Sequence, residues 1–312
     1  VRFLKQNQTV IDSRSGLMWT RDAGLGTFPL TWIEALGFVR ELNEQSRFGF
    51  KDWRLPNRAE LFSLISHSAV NPALPDGHPF RNVFSGYYWS STTCSRLPDQ
   101  AWYIHLGGAR VFKGMKHGSY MVWPVRNAPG EGLRVHRTGQ RNCYAADGSV
   151  AACSGTGQDG EIRAGRPWPQ PRFGYSGRAV MDRMTGLMWD SIADRTGAPV
   201  SWDDALAAAR CANLHNLLGY EDWRLPGVRE LESLCDMGTH SPALPEAHPF
   251  KHVRPCYWSG STSRYDTRYA WTLYLDDGAV GVGFKPLAEF HVLLVRNAGA
   301  DVQYQKAAAS KS

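Results

Sequence analysis

Nothing in the 312-residue chain approaches the roughly 18 consecutive apolar residues of a bilayer-spanning helix, so no membrane-crossing helix is expected. No signal-peptide pattern begins at Val1. Arg2-Phe3 nevertheless already matches Arg172-Phe173, so the chain starts inside a pattern, and a processed or trimmed form is expected. No Gly-x-Ser-x-Gly nucleophile elbow occurs. Basic residues are scattered and carry no recognised nucleic-acid-binding motif, which argues against a nucleic-acid partner. Cysteine is sparse, with six in the whole chain.

Repetition is what the chain does have. Asp12-Ser-Arg-Ser-Gly-Leu-Met-Trp19 returns as Asp182-Arg-Met-Thr-Gly-Leu-Met-Trp189. Asp52-Trp53-Arg54-Leu55-Pro56 returns as Asp222-Trp223-Arg224-Leu225-Pro226, and His78-Pro79-Phe80 as His248-Pro249-Phe250. Tyr88-Trp89-Ser90 and Val125-Arg126-Asn127-Ala128 return as Tyr257-Trp258-Ser259 and Val295-Arg296-Asn297-Ala298. The offset is 170 residues at most anchors and 169 at a few. That period is far longer than a solenoid repeat of roughly 20–50 residues and has the size of a domain. Residues 1–128 form one unit and 138–300 the other, with a linker over 129–137 and a disordered tail expected over 301–312. Features shared by both copies belong to the scaffold. Differences at exposed places are candidates for function.

Each copy reads as α+β. A short hairpin spans Thr9–Asp12 and Leu17–Trp19, and its counterpart returns in the second copy. Thr31 and Ser201 look like helix N-caps, with Glu34 and Asp204 three residues on. Trp32, Ala35, Leu36, Val39 and Leu42 then follow helical spacing. A second helix begins near Asn57 and Gly227. The last third is β, with turns at Gly107-Gly108 and Asp277-Gly278. Helices and strands are segregated along the chain.

Cys143 and Cys153 flank Asp147-Gly148, a tight-turn pair, and read as a disulfide across a hairpin. A metal alternative needs further ligands, and only His136 lies near. A disulfide places the chain outside the reducing cytosol, secreted or at the cell surface. Residues 1–128 hold 15 Lys+Arg against 9 Asp+Glu, and residues 129–312 hold 20 of each, so the first copy carries the whole net charge of +6. Such asymmetry suits an anionic partner, although a drifted, solvated surface would look the same.

With these motifs in place, the chain resembles a bacterial family named after the C-terminal domain of the Legionella collagen-like adhesin. Gly-Leu-Met-Trp (preceded by Ser15 in the first copy and Thr185 in the second), Asp-Trp-Arg-Leu-Pro, Tyr-Trp-Ser and the closing Val-Arg carry the likeness in both copies. Thr138-Gly139-Gln140, Cys143-Tyr144, Gly157-Gln158-Asp159 and Trp168-Pro169 add to it. The resemblance implies a C-type lectin-like fold of the formylglycine-generating-enzyme branch, each domain with two helices and a twisted antiparallel sheet. It also implies glycan or surface recognition through the last strands and their loops.

Candidate ligand-binding residues therefore come from the divergent last third. In the first copy they are Arg96, His105, Arg110, Lys113, Lys116, His117 and Tyr120, and in the second Arg264, Arg268, Tyr274 and Lys285. Arg and Lys suit sulfate or carboxylate groups, and aromatic faces suit sugar rings. Asp266, Asp276 and Asp277 raise calcium as a weak alternative to a plain Asp-Gly turn. No other cofactor is expected. Asp52-Trp53-Arg54 reads as a structural brace, and Ser90 and His78 as packed residues. The function expected is non-catalytic binding of a glycan or anionic surface polymer. The rivals are an accessory subunit docked to a surface protein assembly, and a formylglycine-generating-type oxidase, for which no cysteine pair near the C-terminal strands is visible.

Overall fold

The computed structural model describes residues 1–298, and the tail expected at 301–312 lies outside them. The first half contains β1 (Phe3–Gln6), β2 (Thr9–Asp12), β3 (Leu17–Thr20), α1 (Trp32–Glu44), α2 (Arg58–Leu64), β4 (Tyr87–Thr93), β5 (Gln100–His105), β6 (Arg110–Met115) and β7 (Val125–Asn127). A connecting segment holds β8 (Cys143–Tyr144), β9 (Val150–Ala151) and the single turn α3 (Asp159–Ile162). The second half repeats the first as β10 (Phe173–Ser176), β11 (Ala179–Asp182), β12 (Leu187–Asp190), α4 (Trp202–Leu214), α5 (Val228–Glu232), β13 (Cys256–Thr262), β14 (Tyr269–Tyr274), β15 (Ala279–Phe284) and β16 (Val295–Asn297).

The helices start where their capping chemistry dictates. The Thr31 hydroxyl accepts from the Glu34 amide while Glu34 accepts from the Thr31 amide, and Asn57 and Glu60 repeat the arrangement at α2. At α4 the Ser201 hydroxyl accepts from the Asp204 amide. Trp32, Ala35, Leu36, Val39 and Leu42 are the buried face of α1, as their spacing predicts.

Each half has a four-stranded antiparallel sheet, ordered β1-β2-β3-β7 and β10-β11-β12-β16, in which the last strand of the half pairs with the third. Asp52-Trp-Arg supports this closure. Arg54 exchanges backbone hydrogen bonds with Val125, and its guanidinium clasps Glu60 and donates to Asn127 at 2.8 Å. Arg224, Glu230 and Asn297 repeat the brace. Ser90 is fully buried and donates to the Trp102 carbonyl at 2.8 Å, so its hydroxyl is engaged in the fold. His78 packs beside Phe80, and burial holds its imidazole below its ordinary range.

The two halves do not sit apart as beads. Strands β4–β6 and β13–β15 merge into one six-stranded sheet, ordered β13-β14-β15-β6-β5-β4, joined where Val111 pairs with Val280. Behind it, one hydrophobic core draws on both halves, including Trp19, Trp102 and Trp123 from the first and Trp189, Trp271 and Leu273 from the second. Arg58, only 1% exposed, reaches from α2 to Glu232 and to the Gly278 carbonyl.

The connecting segment also departs from a simple linker. Leu133 and Val135 pack on the shared core, and the Arg134 amide donates to the Ser15 carbonyl. Gly16 sits at φ +74°, and a Cβ there would lie 2.5 Å from the Gly132 carbonyl oxygen, so this turn needs glycine twice over. Cys143 and Cys153 form the expected disulfide. Although residues 138–166 lead into the second half, they pack over the first. The Gln140 side chain bonds both the amide and the carbonyl of Thr93, at 2.9 and 2.7 Å.

Candidate functional site

Merging the sheets places part of the divergent last third at the junction of the halves. A trough of about 580 Å³ runs across it, lined by Tyr87, Tyr103, His105, Arg110 and Phe112 on one side and Tyr274, Ala279 and Gly281 on the other. It exists because the repeats differ in size here. Where the first copy has Arg110 and Phe112, the second has Ala279 and Gly281. Small residues on β15 beside large ones on β6 leave a hollow that two identical copies would have filled.

Strand alternation puts Tyr103 and His105 on the trough face and Trp102 and Ile104 in the core. Tyr87 is 41% exposed and anchors an aromatic group, with ring centroids 4.9 Å from Tyr103, 4.8 Å from His105 and 5.1 Å from Tyr120. Burial and the neighbouring Tyr120 push the Tyr103 phenol up to about 12, so it remains a hydrogen-bond donor. Burial, aided by the Arg110 guanidinium, holds His105 below the usual imidazole range. Arg110 is exposed at the trough mouth. A second hollow of about 480 Å³ adjoins through His105, Arg110 and Val282 and carries Tyr265 and Tyr269.

The structure brings together Arg96, His105, Arg110, Lys113 and Tyr274 from the expected set. Two of these cations are already engaged across the junction. Lys113 pairs with Asp277, and Arg96 lies 3.3 Å from Asp276. Lys116 is a correction. It is 1% exposed, its ammonium lies 4.3 Å from the Trp32 ring, and it donates to the carbonyls of Tyr144 and Ala145. A cation roofed by the disulfide hairpin cannot reach a polymer, and burial lowers its pKa to about 8. Tyr120 is half-buried against Trp89, 4.3 Å between centroids, and supports the aromatic group from below. His117, Arg264 and Arg268 are exposed but line neither hollow. Lys285 lies 4.1 Å over Trp202, on a different face.

The three calcium candidates are each engaged by a cation. Asp266 is bound by Arg268 at 2.7 Å, Asp276 by Arg96 and Asp277 by Lys113. Among the described residues, no three His, Cys, Asp or Glu side chains come close enough to hold a metal ion. The trough aromatics Tyr87, Tyr103 and Phe112 were not singled out from the sequence. For Tyr103 and Phe112 the signal was the two-residue alternation along β5 and β6, which marks a face but not what covers it.

The family model of the Lcl C-terminal domain matches residues 8–126 and 178–296, one copy in each half. The chain belongs to the Lcl C-terminal domain family. No curated protein matches it. Both Lcl C-terminal domains are α+β, with antiparallel sheets and few helices. The family model is that of a collagen-like adhesin domain, not of a known enzyme family. Within these two domains, burial raises the Cys94 thiol and takes Cys235 up to about 12, away from the thiolate that redox chemistry requires. No helix among the described residues is long and apolar enough to cross a membrane.

Proposed function

We propose that the protein is a non-catalytic, extracellular recognition module whose composite trough takes an anionic saccharide polymer. The observation that carries the proposal is the meeting of exposed aromatic rings, Tyr87 and Phe112, with the exposed guanidinium of Arg110 in one hollow of about 580 Å³. Ring faces suit the apolar faces of sugars, and a guanidinium suits sulfate or carboxylate. The volume lies within the usual range for small-ligand clefts, roughly 300–1,000 Å³. The Cys143–Cys153 disulfide and the adhesin family support an extracellular setting. We read each half as C-type lectin-like, on the strength of the family resemblance.

The junction changes what the duplication means for binding. Two separate domains would offer two sites and avidity. Here one trough is built from both halves, so one saccharide segment per chain is expected. The test is titration with a sulfated polysaccharide such as heparin at 50 and 300 mM salt. Binding should weaken steeply with salt, because an exposed cation is screened. Arg110→Ala and Tyr87→Ala should each weaken it by about tenfold, the scale of one charge-assisted hydrogen bond or one aromatic contact. Binding that ignores both substitutions removes the proposal.

A further inference from the structure

The two halves are related by an approximate two-fold, because the equivalent residues Val111 and Val280 pair with each other in antiparallel sense. The trough lies across that axis, with equivalent positions at its two ends. The repeats furnish these two ends differently.

At one end, four ionic side chains close the junction. Lys113 pairs with Asp277, and Arg96 lies 3.3 Å from Asp276. The Lys113 ammonium is also held over the Phe112 ring, 4.4 Å from its centroid. The repeat offset of 169 carries each of these residues to the other end. Lys113 becomes Val282 and Arg96 becomes Tyr265, while Asp276 and Asp277 correspond to Gly107 and Gly108. All four charges are lost together. Two glycines where the other end has two aspartates, with a valine and a tyrosine for their partners, leave the second hollow of about 480 Å³. Both ends are thus decided by residues of the repeats themselves.

This hollow is furnished for a sugar unit without charge. The Tyr265 ring is 70% exposed, and Tyr269 lines the same hollow. Aromatic faces of this kind suit the apolar faces of sugar rings. Asn71 and Ser85 add exposed polar side chains suited to sugar hydroxyls. Gly107 cannot be larger, since a Cβ there would lie 2.8 Å from both the Ser85 carbonyl oxygen and the His105 ring. The carboxylate in the hollow, Asp266, is held by Arg268 at 2.7 Å.

Arg110 stands at the edge shared by the two hollows. Arg96 and Lys113 are neutralised by the two aspartates, whereas Arg110 pairs with no carboxylate among the described residues. One free guanidinium for two hollows sets the charge spacing of a ligand. An anionic group at Arg110 gains a partner. A second anion beside Tyr265 would lose water and gain no cation. In the opposite direction, an acidic chain would meet Asp276 and Asp277 and would have to open two ion pairs.

We propose that the saccharide site runs from the trough past Arg110 into the hollow at Tyr265, in that direction alone, and selects an acidic polysaccharide with one charge per disaccharide. Its acidic unit sits at Arg110, and the uncharged unit beyond stacks on Tyr265. The extension rests on the trough being a saccharide site, and it makes Tyr265 and Gly108 determinants of specificity.

The probes are a disaccharide and a hexasaccharide of hyaluronan, with one carboxylate per disaccharide, and heparin fragments of the same two sizes, titrated into the intact protein. The wild type should bind the hyaluronan hexasaccharide at least tenfold more tightly than the disaccharide, about the scale of one added aromatic contact. Tyr265→Ala, a change at an exposed side chain, should narrow that gap below threefold. Gly108→Asp with Val282→Lys rebuilds at the open end the pair that Lys113 and Asp277 make at the sealed one, and should narrow the gap equally. A Cβ at Gly108 meets nothing closer than the His105 ring at 3.8 Å, so the site accepts a side chain. Neither change should narrow the heparin gap. Binding that depends on Arg110 and Tyr87 but keeps its tenfold gap in both variants overturns the extension and leaves the trough standing. Binding of heparin without hyaluronan, or a heparin gap that narrows as much, overturns the selection for sparse charge. A wild type that binds no fragment of either polymer overturns the trough, and the extension with it.

Discussion

Val111 and Val280, the same residue in two repeats, are antiparallel register partners at the centre of one sheet. Both are fully buried. A strand edge left open in each half is thereby closed by the other, which removes a site for unwanted strand addition. Val280→Asp should place an unpaired carboxylate in this junction, at a cost of several kcal/mol. Urea denaturation of the wild type should show one transition, and the variant should unfold in two, as the halves lose their common sheet.

Arg58 and Glu232 give a second test of the same junction. The Arg58 guanidinium is buried, 4.9 Å from the Trp102 ring, and Glu232 is its carboxylate partner. Arg58→Ala should cost about 3–5 kcal/mol, because it leaves a partly buried carboxylate unpaired. Arg58→Met with Glu232→Met should recover most of that loss, since a matched apolar pair needs no desolvation of charge. Chemical denaturation of Arg58→Met, Glu232→Met and the double variant measures the coupling.

Lys116 and Lys285 share a repeat position and a tryptophan platform, yet only Lys116 is roofed. Lys116→Met should leave polysaccharide binding unchanged, whereas Arg110→Ala weakens it. In the untreated protein, acetylation should modify Lys285 quickly and Lys116 slowly. Equal labelling rates would mean that the hairpin over Lys116 is not seated.

Asp159 makes seating of the connecting segment depend on pH. Burial raises its carboxyl to about 6, against the opposing hydrogen bonds from Thr138 and Thr92. The folded state therefore holds a proton that the unfolded chain, titrating near 3.8, releases earlier. This contribution is fully present below about pH 4 and is lost as pH rises through about 6. Asp159→Asn keeps the shape and cannot titrate. The difference in melting temperature between wild type and Asp159→Asn should shift in favour of the wild type as pH falls from 7 to 4. A constant difference across that range would show that Asp159 titrates normally.

Much of the scaffold was legible because both copies keep it. Arg54 and Arg224, Trp19 and Trp189, and the caps at Thr31 and Ser201 follow local rules of spacing, capping and burial. The candidate trough was legible only in part. His105, Arg110 and Tyr274 stood out as differences between copies, whereas Lys116 looked like one more exposed cation. Its roof is formed by Tyr144 and Ala145, 28 and 29 residues further along the chain. Nothing near Lys116 in sequence signals that cover.

The sequence by itself determined that one domain pattern occurs twice, which residues frame each copy, and that Cys143 and Cys153 bridge a hairpin. Those features rest on side-chain identity and short spacing. Only the tertiary structure decided that β6 and β15 join and that the connecting segment lies over the first half. Strand-edge pairing runs through backbone amides and carbonyls, which every residue here but proline supplies alike, so no side-chain pattern could name the partner.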